Sequence, residues 1–423
     1  MSGRPTKRLI ISYDARTPSA FALAEAARGL CEVIWMIDLA DPEMVHFARL
    51  LRKLGTVVDV QGLSAKQTVQ ALGATRPTGI ITFNDSRMTL LAEIASDLGL
   101  DFHTSEVADR LSDKMLQRLA MRDAGLPVPP VWEIPVGLEP TGVALIAHEM
   151  QFPAILKPRR GAGSRNVHQV QDADALVRLV AALGDRPSEQ AGWILEGYLA
   201  STSRPVSRFA DVVSVESFVR DGAICQFAIT GRFPFAHPFR ETGMVLPSDI
   251  SPADEKAAKE MAAAAITALG VRNGCQHTEL KFTPDGPRII EVNGRLGGAI
   301  PQLVLLAGGE ISLFRLAMEL ALRLPVTVEL PLPFTRIAYR RIAPPPVLAR
   351  RITAMEGHDH LKDLPGIDNV TFNRRPGDSV DWRLGLGEFV YGVYGSAGSY
   401  DEVEAICDLI DQTVTVAYDE SVP

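Results

Sequence analysis

A β-hairpin centred near residue 285 carries the most restrictive pattern in this sequence. The segment "HTELKF" reads as a strand, a Pro-Asp-Gly turn follows, and "RIIEVN" reads as the returning strand. If the hairpin is symmetric about Asp285, Glu279 lies opposite Glu291 and His277 lies opposite Asn293, although a bulge at the turn would shift this pairing by one residue. Directly opposed carboxylates repel each other, which destabilises a sheet unless a positive group sits between them.

The oxygen atoms on this face suit a magnesium ion. Two carboxylates and the amide of Asn293 are hard ligands, and Mg²⁺ takes its remaining ligands from water and phosphate, whereas zinc prefers His or Cys. Arg295, one step further along the same face, can bind a phosphate or a carboxylate bidentately. A surface hairpin with solvated charges is the alternative interpretation. The clustering of several polar groups on one face of an otherwise apolar strand pair disfavours it.

Two other segments carry groups that suit phosphate binding. In "ILKPRRGAGS", Lys157 ends an apolar strand, and residues 161–164 form a glycine-rich turn whose N–H groups can cover phosphates. We expect this turn to be a mobile flap, because its glycines and its lack of apolar anchors leave it little reason to pack. Taken singly, such a turn is more often a plain hairpin, and Lys114 in "SDKMLQRLA" is more often a surface lysine on a helix.

Composition excludes several classes of protein. The 423 residues include 46% hydrophobic and 22% charged residues, which allows a folded core and two or three domains. Lys and Arg total 43 against 51 Asp and Glu, and the basic residues are scattered, which argues against a nucleic-acid partner or an anionic membrane surface. No run of about 20 apolar residues predicts a membrane span. The short apolar run near the N-terminus predicts no signal peptide, and the four distant cysteines fit a reducing cytoplasm.

Hydrophobic periodicity predicts a multidomain protein of the α/β and α+β classes. From residue 8 to about 100, buried strands alternate with helical segments, as in a parallel α/β layer, but no GxGxxG motif follows the first strand. A helical run over 105–125 then ends at a glycine before the rigid linker "LPVPP". The remaining pattern predicts, in order, a strand ending at Lys157-Pro158, a helix over 172–183, the strand "GWILEGYL", a hairpin around Asp221-Gly222, a helix over 252–269, and, after a shift in composition near residue 330, strand-and-turn segments and a helix over 400–411.

The order of the motifs resembles the ATP-grasp superfamily over nearly the whole chain. The segments that carry the resemblance are "SDKMLQRLAMRDAGLPVPP", "ILKPRRGAGS", "ILEGYL", "SVESFV" and "TELKF" with "RIIEVNGRLGG". The segment "FRETGMVLP" is similar to the "ETGHxxP" segment of the L-amino acid ligases, the dipeptide-forming branch of the carboxylate–amine ligases. The resemblance implies an N-terminal α/β domain at 1–104, a lid with its linker helix at 105–200, a large ATP domain with the metal site at 201–329, and a C-terminal α+β segment that completes the large domain at 330–423.

The resemblance also implies roles for individual residues. Those expected to contact ATP are Lys114, Lys157, Gly161, Gly163 and Ser164 at the phosphates, and Glu196 and Leu199 at the adenine. Those expected to hold a magnesium ion, for which manganese can substitute, are Glu279, Glu291 and Asn293. The expected catalytic residue, which would steady an acyl phosphate, is Arg295, and those expected to face the substrate are Glu241 and Gly298.

Two departures from the family pattern leave points open. Val212 stands where the family usually has an acid for the ribose hydroxyls, and whether Asp211 or Glu216 replaces that acid is undecided. Met244 replaces the histidine of "ETGH", which weakens the dipeptide-ligase assignment.

The function implied by the resemblance is ATP-dependent ligation of a carboxylate, favoured to be an amino acid, to an amine through an acyl phosphate. Its partners would be these small molecules, with no nucleic acid and no membrane, and a homodimer stays open. Two alternatives remain: a bicarbonate-activating enzyme similar to biotin carboxylase, and a nucleotide-binding regulatory protein without turnover.

Overall fold

The chain begins with a parallel α/β layer, as the sequence predicts. The computed structural model describes residues 7–184, 192–202, 206–326 and 328–420. The elements of this layer are β1 (Arg8–Ser12), α1 (Ala20–Ala27), β2 (Glu32–Ile37), α2 (Pro42–Leu54), β3 (Thr56–Asp59), α3 (Ala65–Ala74), β4 (Gly79–Thr82) and α4 (Met88–Leu98). The strands run parallel in the order β3-β2-β1-β4. Apolar clusters cover both faces of the sheet, so β1 and β2 are almost continuously buried.

A break at Asp113 divides the next helical stretch. Instead of the predicted single run over 105–125, the structure has α5 (Ser105–Ser112) and α6 (Lys114–Asp123). Asp113 has an extended backbone, and its carboxylate caps α6 by accepting from the N–H of Met115 at 2.9 Å. The prediction of an uninterrupted helix is wrong because aspartate favours the N-cap over a helix interior.

A small antiparallel sheet, which we call the lid sheet, occupies residues 131–197. Its elements are β5 (Val131–Ile134), α7 (Pro140–Glu149), β6 (Ala154–Pro158), β7 (His168–Val170), α8 (Ala173–Leu183) and β8 (Trp193–Gly197), with strand order β5-β8-β6-β7. The strand ending at Pro158 and the helix after Asp172 are confirmed. Val143 of α7 and Leu176 of α8 are buried in one cluster with Leu156 and Leu195 of the sheet.

A large antiparallel sheet spans the rest of the chain. Its strands and the helices between them are β9 (Val212–Arg220), β10 (Ala223–Arg232), β11 (Gly243–Leu246), α9 (Pro252–Ala268), β12 (Gly274–Thr283), β13 (Gly286–Asn293), α10 (Ile300–Leu306), α11 (Leu313–Ala321), β14 (Ile337–Ile342), β16 (Ile367–Phe372) and β17 (Tyr391–Ala397). Within the described ranges the strand order is β13-β12-β9-β10-β11-β14-β17-β16. The segment after residue 330 therefore shares its sheet with the segment before it. The predicted hairpin at Asp221-Gly222 is confirmed.

The remaining C-terminal elements lie beside the large sheet. β15 (Ala349–Glu356) pairs with β18 (Thr415–Glu420), and α12 (Tyr400–Thr413) contains the predicted last helix. Two 3-10 helices occur at His358–Asp363 and Trp382–Glu388.

Alternation along β9 separates an apolar face of the large sheet from a polar one. Val213, Val215 and Val219 pack in the same cluster as the alanine-rich α9. Ser214 and Glu216 therefore point to the opposite face, yet both are fully buried. α9 confirms the helix that the sequence predicts over 252–269. Among the helices of the described ranges none is long and apolar enough to span a membrane.

Two glycines test the placement of β11 against β14. Gly222 and Gly243 have φ angles of 88° and 147°, which side chains rarely adopt. A Cβ at Gly222 would meet nothing within 4 Å, whereas a Cβ at Gly243 would overlap the carbonyl oxygen of Arg340. We expect Gly222→Ala to lower the free energy of unfolding by about 1 kcal/mol, with a correspondingly small fall in melting temperature. Gly243→Ala should lower the melting temperature several times as much as Gly222→Ala does. Equal shifts in thermal melting would contradict this packing.

Candidate active site

The carboxylate hairpin has the register that the sequence predicts. Glu279 lies opposite Glu291 and His277 lies opposite Asn293. The turn itself is centred half a residue earlier than predicted, because Pro284-Asp285 forms a two-residue loop. A bulge directly after Glu279 compensates for this offset, since it inserts one extra residue in β13. The two carboxylates therefore face each other across the strand pair.

One cavity of about 300 Å³ lies between the lid sheet and the large sheet. Every residue that the sequence and its resemblance place in the site lines this cavity, although the residues are spread over almost two hundred positions. They are Lys114, Lys157, Gly161, Gly163, Ser164, Glu196, Leu199, Glu241, Glu279, Glu291, Asn293, Arg295 and Gly298.

The hairpin side chains fit the oxygen-ligand set of magnesium. Asn293 donates its amide N–H to the carbonyl of His277 at 3.3 Å, which leaves its Oδ1 as an acceptor. Burial alone would raise the pKa of Glu279, but His277, Arg232 and Arg295 lower it to about 2. In the described part of the chain no three His, Cys, Asp or Glu residues cluster as a metal site. Two carboxylates and an amide are nevertheless enough for Mg²⁺, which keeps several waters and binds substrate phosphates.

Glu216 and His277 form a buried pair next to the carboxylate of Glu279. Glu216 accepts from His277 Nδ1 at 2.8 Å, and His277 Nε2 lies 3.2 Å from Glu279. Burial alone would lower the pKa of His277, but Glu216 and Glu279 raise it to about 9. Because Glu216 is fully buried, it cannot reach a ribose, whereas Asp211 lines the cavity.

Arg232 is a site residue that sequence reasoning missed. Its guanidinium is buried and donates to Ser214 Oγ at 3.2 Å and to Thr230 Oγ1 at 3.1 Å. Its Nε lies 3.5 Å from a carboxylate oxygen of Glu241. The polar residues at alternate positions of β9 and β10 are the same period-two signal that marks the carboxylate hairpin, and they could have identified it.

Lys157 and Glu196 form a buried charge cluster with Arg118. Glu196 lies 2.7 Å from Lys157 Nζ and 2.8 Å from Arg118 Nε. Burial alone would raise the pKa of Glu196, but the two cations lower it to about 2. Burial lowers the pKa of Lys157, against the effect of Glu196. Arg118 also donates to the carbonyl of Ile290, which ties α6 to β13.

Lys114 bridges the flap and the hairpin. Its Nζ lies 2.9 Å from Glu291 and donates to the carbonyl of Gly161 at 2.6 Å. The lysine is therefore one positive group beside the opposed carboxylates, in addition to Arg232 and His277 near Glu279.

The glycine flap packs against the C-terminal segment, contrary to the expectation that it has little reason to pack. The carbonyl of Gly163 accepts from Leu386 N–H at 2.8 Å, and Asn166 N–H donates to the carbonyl of Arg383 at 2.9 Å. Both partners belong to the 3-10 helix Trp382–Glu388. The sequence holds no local signal for this contact, because more than two hundred residues separate the two segments.

Arg295 owes its position to the N-terminal layer rather than to the strand. β13 ends at Asn293, so the predicted alternation does not extend to Arg295. Its Nε and one terminal nitrogen lie 2.7 and 2.6 Å from one oxygen of Asp85, just after β4. Burial alone would lower the pKa of Arg295, but Asp85, Glu291 and Glu279 raise it above its ordinary value. A third N–H donates to the carbonyl of Leu296, so two of its five N–H groups remain for a ligand.

Arg340 is a second site residue absent from the sequence reasoning. It lies on β14 directly opposite Met244 of β11, and both side chains line the cavity. Its guanidinium carbon stands 5.3 Å from the ring centre of Phe389 and 5.5 Å from that of Tyr394. Nothing in the strand pattern distinguishes Arg340 from its neighbour Arg341, so tertiary contacts were needed to find it.

Residues 150–302 match the family model described as the ATP-grasp domain. The chain contains an ATP-grasp domain. The resemblance seen in the sequence motifs is thereby confirmed, as is the mixed α/β fold class. The matched range includes the flap, β8 and the carboxylate hairpin, and it supplies most of the residues that line the cavity.

Similar proteins extend the likeness beyond the ATP-grasp domain. The chain is 27% identical over 381 residues to the uncharacterized protein y4rH of Sinorhizobium fredii, which covers 88% of this chain and 75% of that protein. It is 26% identical over 237 residues to carnosine synthase 1 of Homo sapiens, which covers 52% of this chain but only 28% of the synthase. The chain thus spans little more than a quarter of that larger protein.

Solved structures share the fold over the whole chain. The L-amino acid ligase from Bacillus licheniformis superposes with a TM-score of 0.76 at 20% identity and covers 99% of this chain and 100% of its own. The biotin carboxylase from Campylobacter jejuni superposes with a TM-score of 0.65 at 15% identity and covers 97% and 92%. At these identities the comparison establishes the fold alone.

The ion pair between Lys114 and Glu291 predicts a coupling between metal and nucleotide. A cation that binds Glu291 without nucleotide must displace the lysine, so Lys114→Met should tighten Mn²⁺ binding to the nucleotide-free protein by about tenfold. With ADP present the gain should disappear, because a phosphate would occupy the lysine. Electron paramagnetic resonance of Mn²⁺ measures both affinities.

The control for this experiment is Lys281→Met, which removes a cavity lysine that lies 3.9 Å from Asp211. An equal gain in Mn²⁺ affinity in the control would show that net charge, rather than the ion pair with Glu291, governs metal binding.

Proposed function

We propose that this protein is an ATP-dependent ligase that joins a carboxylate, most suitably that of an amino acid, to an amine. The observation that carries the proposal is the convergence of Glu279, Glu291 and Asn293 with Lys114 and Lys157 in one cavity. Oxygen ligands for a divalent cation next to two lysines suit the phosphates of a nucleoside triphosphate. The likeness to an L-amino acid ligase and to carnosine synthase 1 supports amide formation in particular.

The proposed reaction has two steps that balance in atoms and charge. A carboxylate oxygen attacks the γ-phosphorus of ATP, the bond to the bridging oxygen breaks, and ADP leaves. The amine nitrogen then attacks the acyl carbon, the C–O bond to phosphate breaks, and phosphate leaves with the release of a proton from the former ammonium group. No protein nucleophile is required, so the side chains act by positioning and by neutralising charge.

Each group has one task in this scheme. Lys114 and Lys157 bind phosphate oxygens, and the flap closes over them from the lid side. Glu279, Glu291 and Asn293 would hold a magnesium ion, which would supply positive charge to the phosphates. Arg295 offers its two remaining N–H groups to the acyl phosphate, while Asp85 keeps the guanidinium in place. The sequence of the flap permits the movement that nucleotide entry requires, and the contact with Leu386 must open for it.

The nucleotide base and sugar have candidate partners at the other end of the cavity. Glu196 and Leu199 flank the position proposed for adenine. Asp211 is the acid we propose for the ribose hydroxyls, because it lines the cavity, whereas Glu216 is hydrogen-bonded to His277. Lys281 stands 4.9 Å above the ring of Tyr198, which adds a cation–π contact beside this position.

Removal of charge at Glu291 tests the metal assignment. We expect Glu291→Gln to reduce turnover at least about a hundredfold at saturating magnesium without loss of fold, because the volume stays the same while the metal loses a charged ligand. The matched control is Asp285→Asn at the tip of the same hairpin, where the side chain is 84% exposed. Similar rates of ADP formation in Glu291→Gln and the control would refute the assignment.

Arg295 tests the step that distinguishes a ligase from a binder. We expect Arg295→Lys to lose about a hundredfold in turnover, equivalent to about 3 kcal/mol, with little change in ATP affinity, because lysine lacks the planar fork. ADP formation is measured with a carboxylate alone, an amine alone, and both, alongside calorimetry of ATP binding, and mass spectrometry identifies the product.

These three arms, together with a fourth that supplies bicarbonate alone, separate the alternatives. A ligase needs both substrates, a carboxylase turns over with bicarbonate and no amine, and a regulatory protein binds ATP without turnover. Asp85→Asn serves as the control that loosens Arg295 without removing it. If Arg295→Lys turns over normally at saturation, the proposed role of Arg295 is wrong.

A further inference from the structure

We propose that the 3-10 helix Trp382–Glu388 is a latch for the glycine flap, and that release of this latch sets how fast a nucleotide enters and leaves the cavity. This inference rests on the proposed function for the identity of the nucleotide. It assigns a role in flap movement to a part of the C-terminal segment that lies outside the matched ATP-grasp domain.

The flap docks along the latch in antiparallel order. The carbonyl of Gly163 accepts from the N–H of Leu386, near the end of the latch, and the N–H of Asn166 donates to the carbonyl of Arg383, near its start. Backbone groups make both hydrogen bonds, so docking depends on the path of the flap backbone rather than on one particular side chain. Both bonds must open when the flap moves away from the C-terminal segment.

An aromatic contact extends the same order to the lid sheet. The ring of His168 on β7 lies edge-to-face against the ring of Trp382, with ring centres 5.5 Å apart. At its other end the latch is anchored to its own segment, because Asn373 donates to the carbonyl of Gly387 at 2.6 Å. The latch is therefore the fixed partner, and the glycine-rich flap is the part that moves.

The docked flap has a backbone conformation that a free chain rarely adopts. The φ angles are 68° at Gly163, 56° at Ser164 and 51° at Asn166. Glycine takes this left-handed conformation readily and asparagine occasionally, but it is unfavourable for serine. Such strain persists only where the surrounding structure holds it. We therefore expect the flap to relax when it leaves the latch, which gives it two distinct arrangements, docked and released.

Gly385 is the point of closest approach between latch and flap. Its φ angle is 70°, and a Cβ there would overlap the carbonyl oxygen of Gly163 and lie 2.8 Å from the backbone nitrogen of Arg165. The three nearest atoms to that Cβ all belong to the segment 163–165. Gly385→Ala should therefore separate the flap from the latch.

The matched control is Gly377→Ala. Gly377 lies in a turn of the same C-terminal segment and has a φ angle of 97°, but a Cβ there would meet nothing within 4 Å. The control therefore carries the backbone cost of an alanine at positive φ without touching the flap.

A disulfide between the flap and the latch supplies the opposite perturbation. A Cβ at Gly163 would lie 3.2 Å from the Cβ of Leu386, close to the separation of about 3.5–4.5 Å that a disulfide spans. The double variant Gly163→Cys with Leu386→Cys should therefore hold the flap docked when it is oxidised and release it when it is reduced. The reduced form is its own control, and wild type under the same oxidant controls for the four native cysteines.

The measurement is stopped-flow binding of the fluorescent N-methylanthraniloyl derivative of ADP with Mg²⁺. We expect Gly385→Ala to raise both the association and the dissociation rate constants about tenfold, because a larger fraction of the protein has a released flap. The Kd should change much less than either rate constant, since the latch is lost from the free and the bound protein alike. Gly377→Ala should match wild type, and oxidation of the double variant should lower both rate constants at least about tenfold.

Melting temperatures show which variants fold, and if Gly385→Ala does not, the oxidised and reduced double variant decide the question. Equal rates in the two redox forms, or equal rates in Gly385→Ala and Gly377→Ala, would overturn the latch and leave nucleotide binding standing. A wild type that binds neither this derivative nor ATP would instead overturn the proposed function, and the latch as a gate for nucleotide with it.

Discussion

The repulsion between two opposed carboxylates is the constraint on which the rest of the cavity depends. Glu279 and Glu291 face each other across a hairpin, and such a pair destabilises a sheet unless positive charge offsets the repulsion. In this protein three groups supply the positive charge. Lys114 lies on α6, and Arg232 and His277 lie on the large sheet itself. The positive groups of the cavity therefore offset the repulsion between these two carboxylates, and a bound divalent cation would offset it more completely.

Without ligands, many of the charged groups neutralise one another. Lys114 is paired with Glu291, Lys157 with Glu196, and Arg295 with Asp85. In the proposed reaction, ATP and its metal would exchange these internal partners for phosphate and cation, so the protein need not bury unpaired charge in either state.

Local pattern predicted the fold and part of the site, and distance along the chain limited the rest. The hairpin register followed from period-two alternation and a turn, so Glu279 and Glu291 could be placed without a structure. The helix break at Asp113 does not follow from apolar periodicity, because the periodic pattern continues across this capping aspartate. The partners of Arg295 and of the flap depend on contacts between segments more than two hundred residues apart, which no local period encodes. The residues drawn from the family resemblance converge on one cavity.

The central claim is that the cavity transfers a phosphoryl group to a carboxylate before the amine attacks. A donor carboxylate labelled with ¹⁸O measures this most directly, because the acyl phosphate route moves one carboxylate oxygen into the released phosphate. Mass spectrometry of the phosphate after turnover should find one ¹⁸O atom per product molecule formed. Unlabelled phosphate formed together with amide product would contradict the account, since the carboxylate would then not have been phosphorylated.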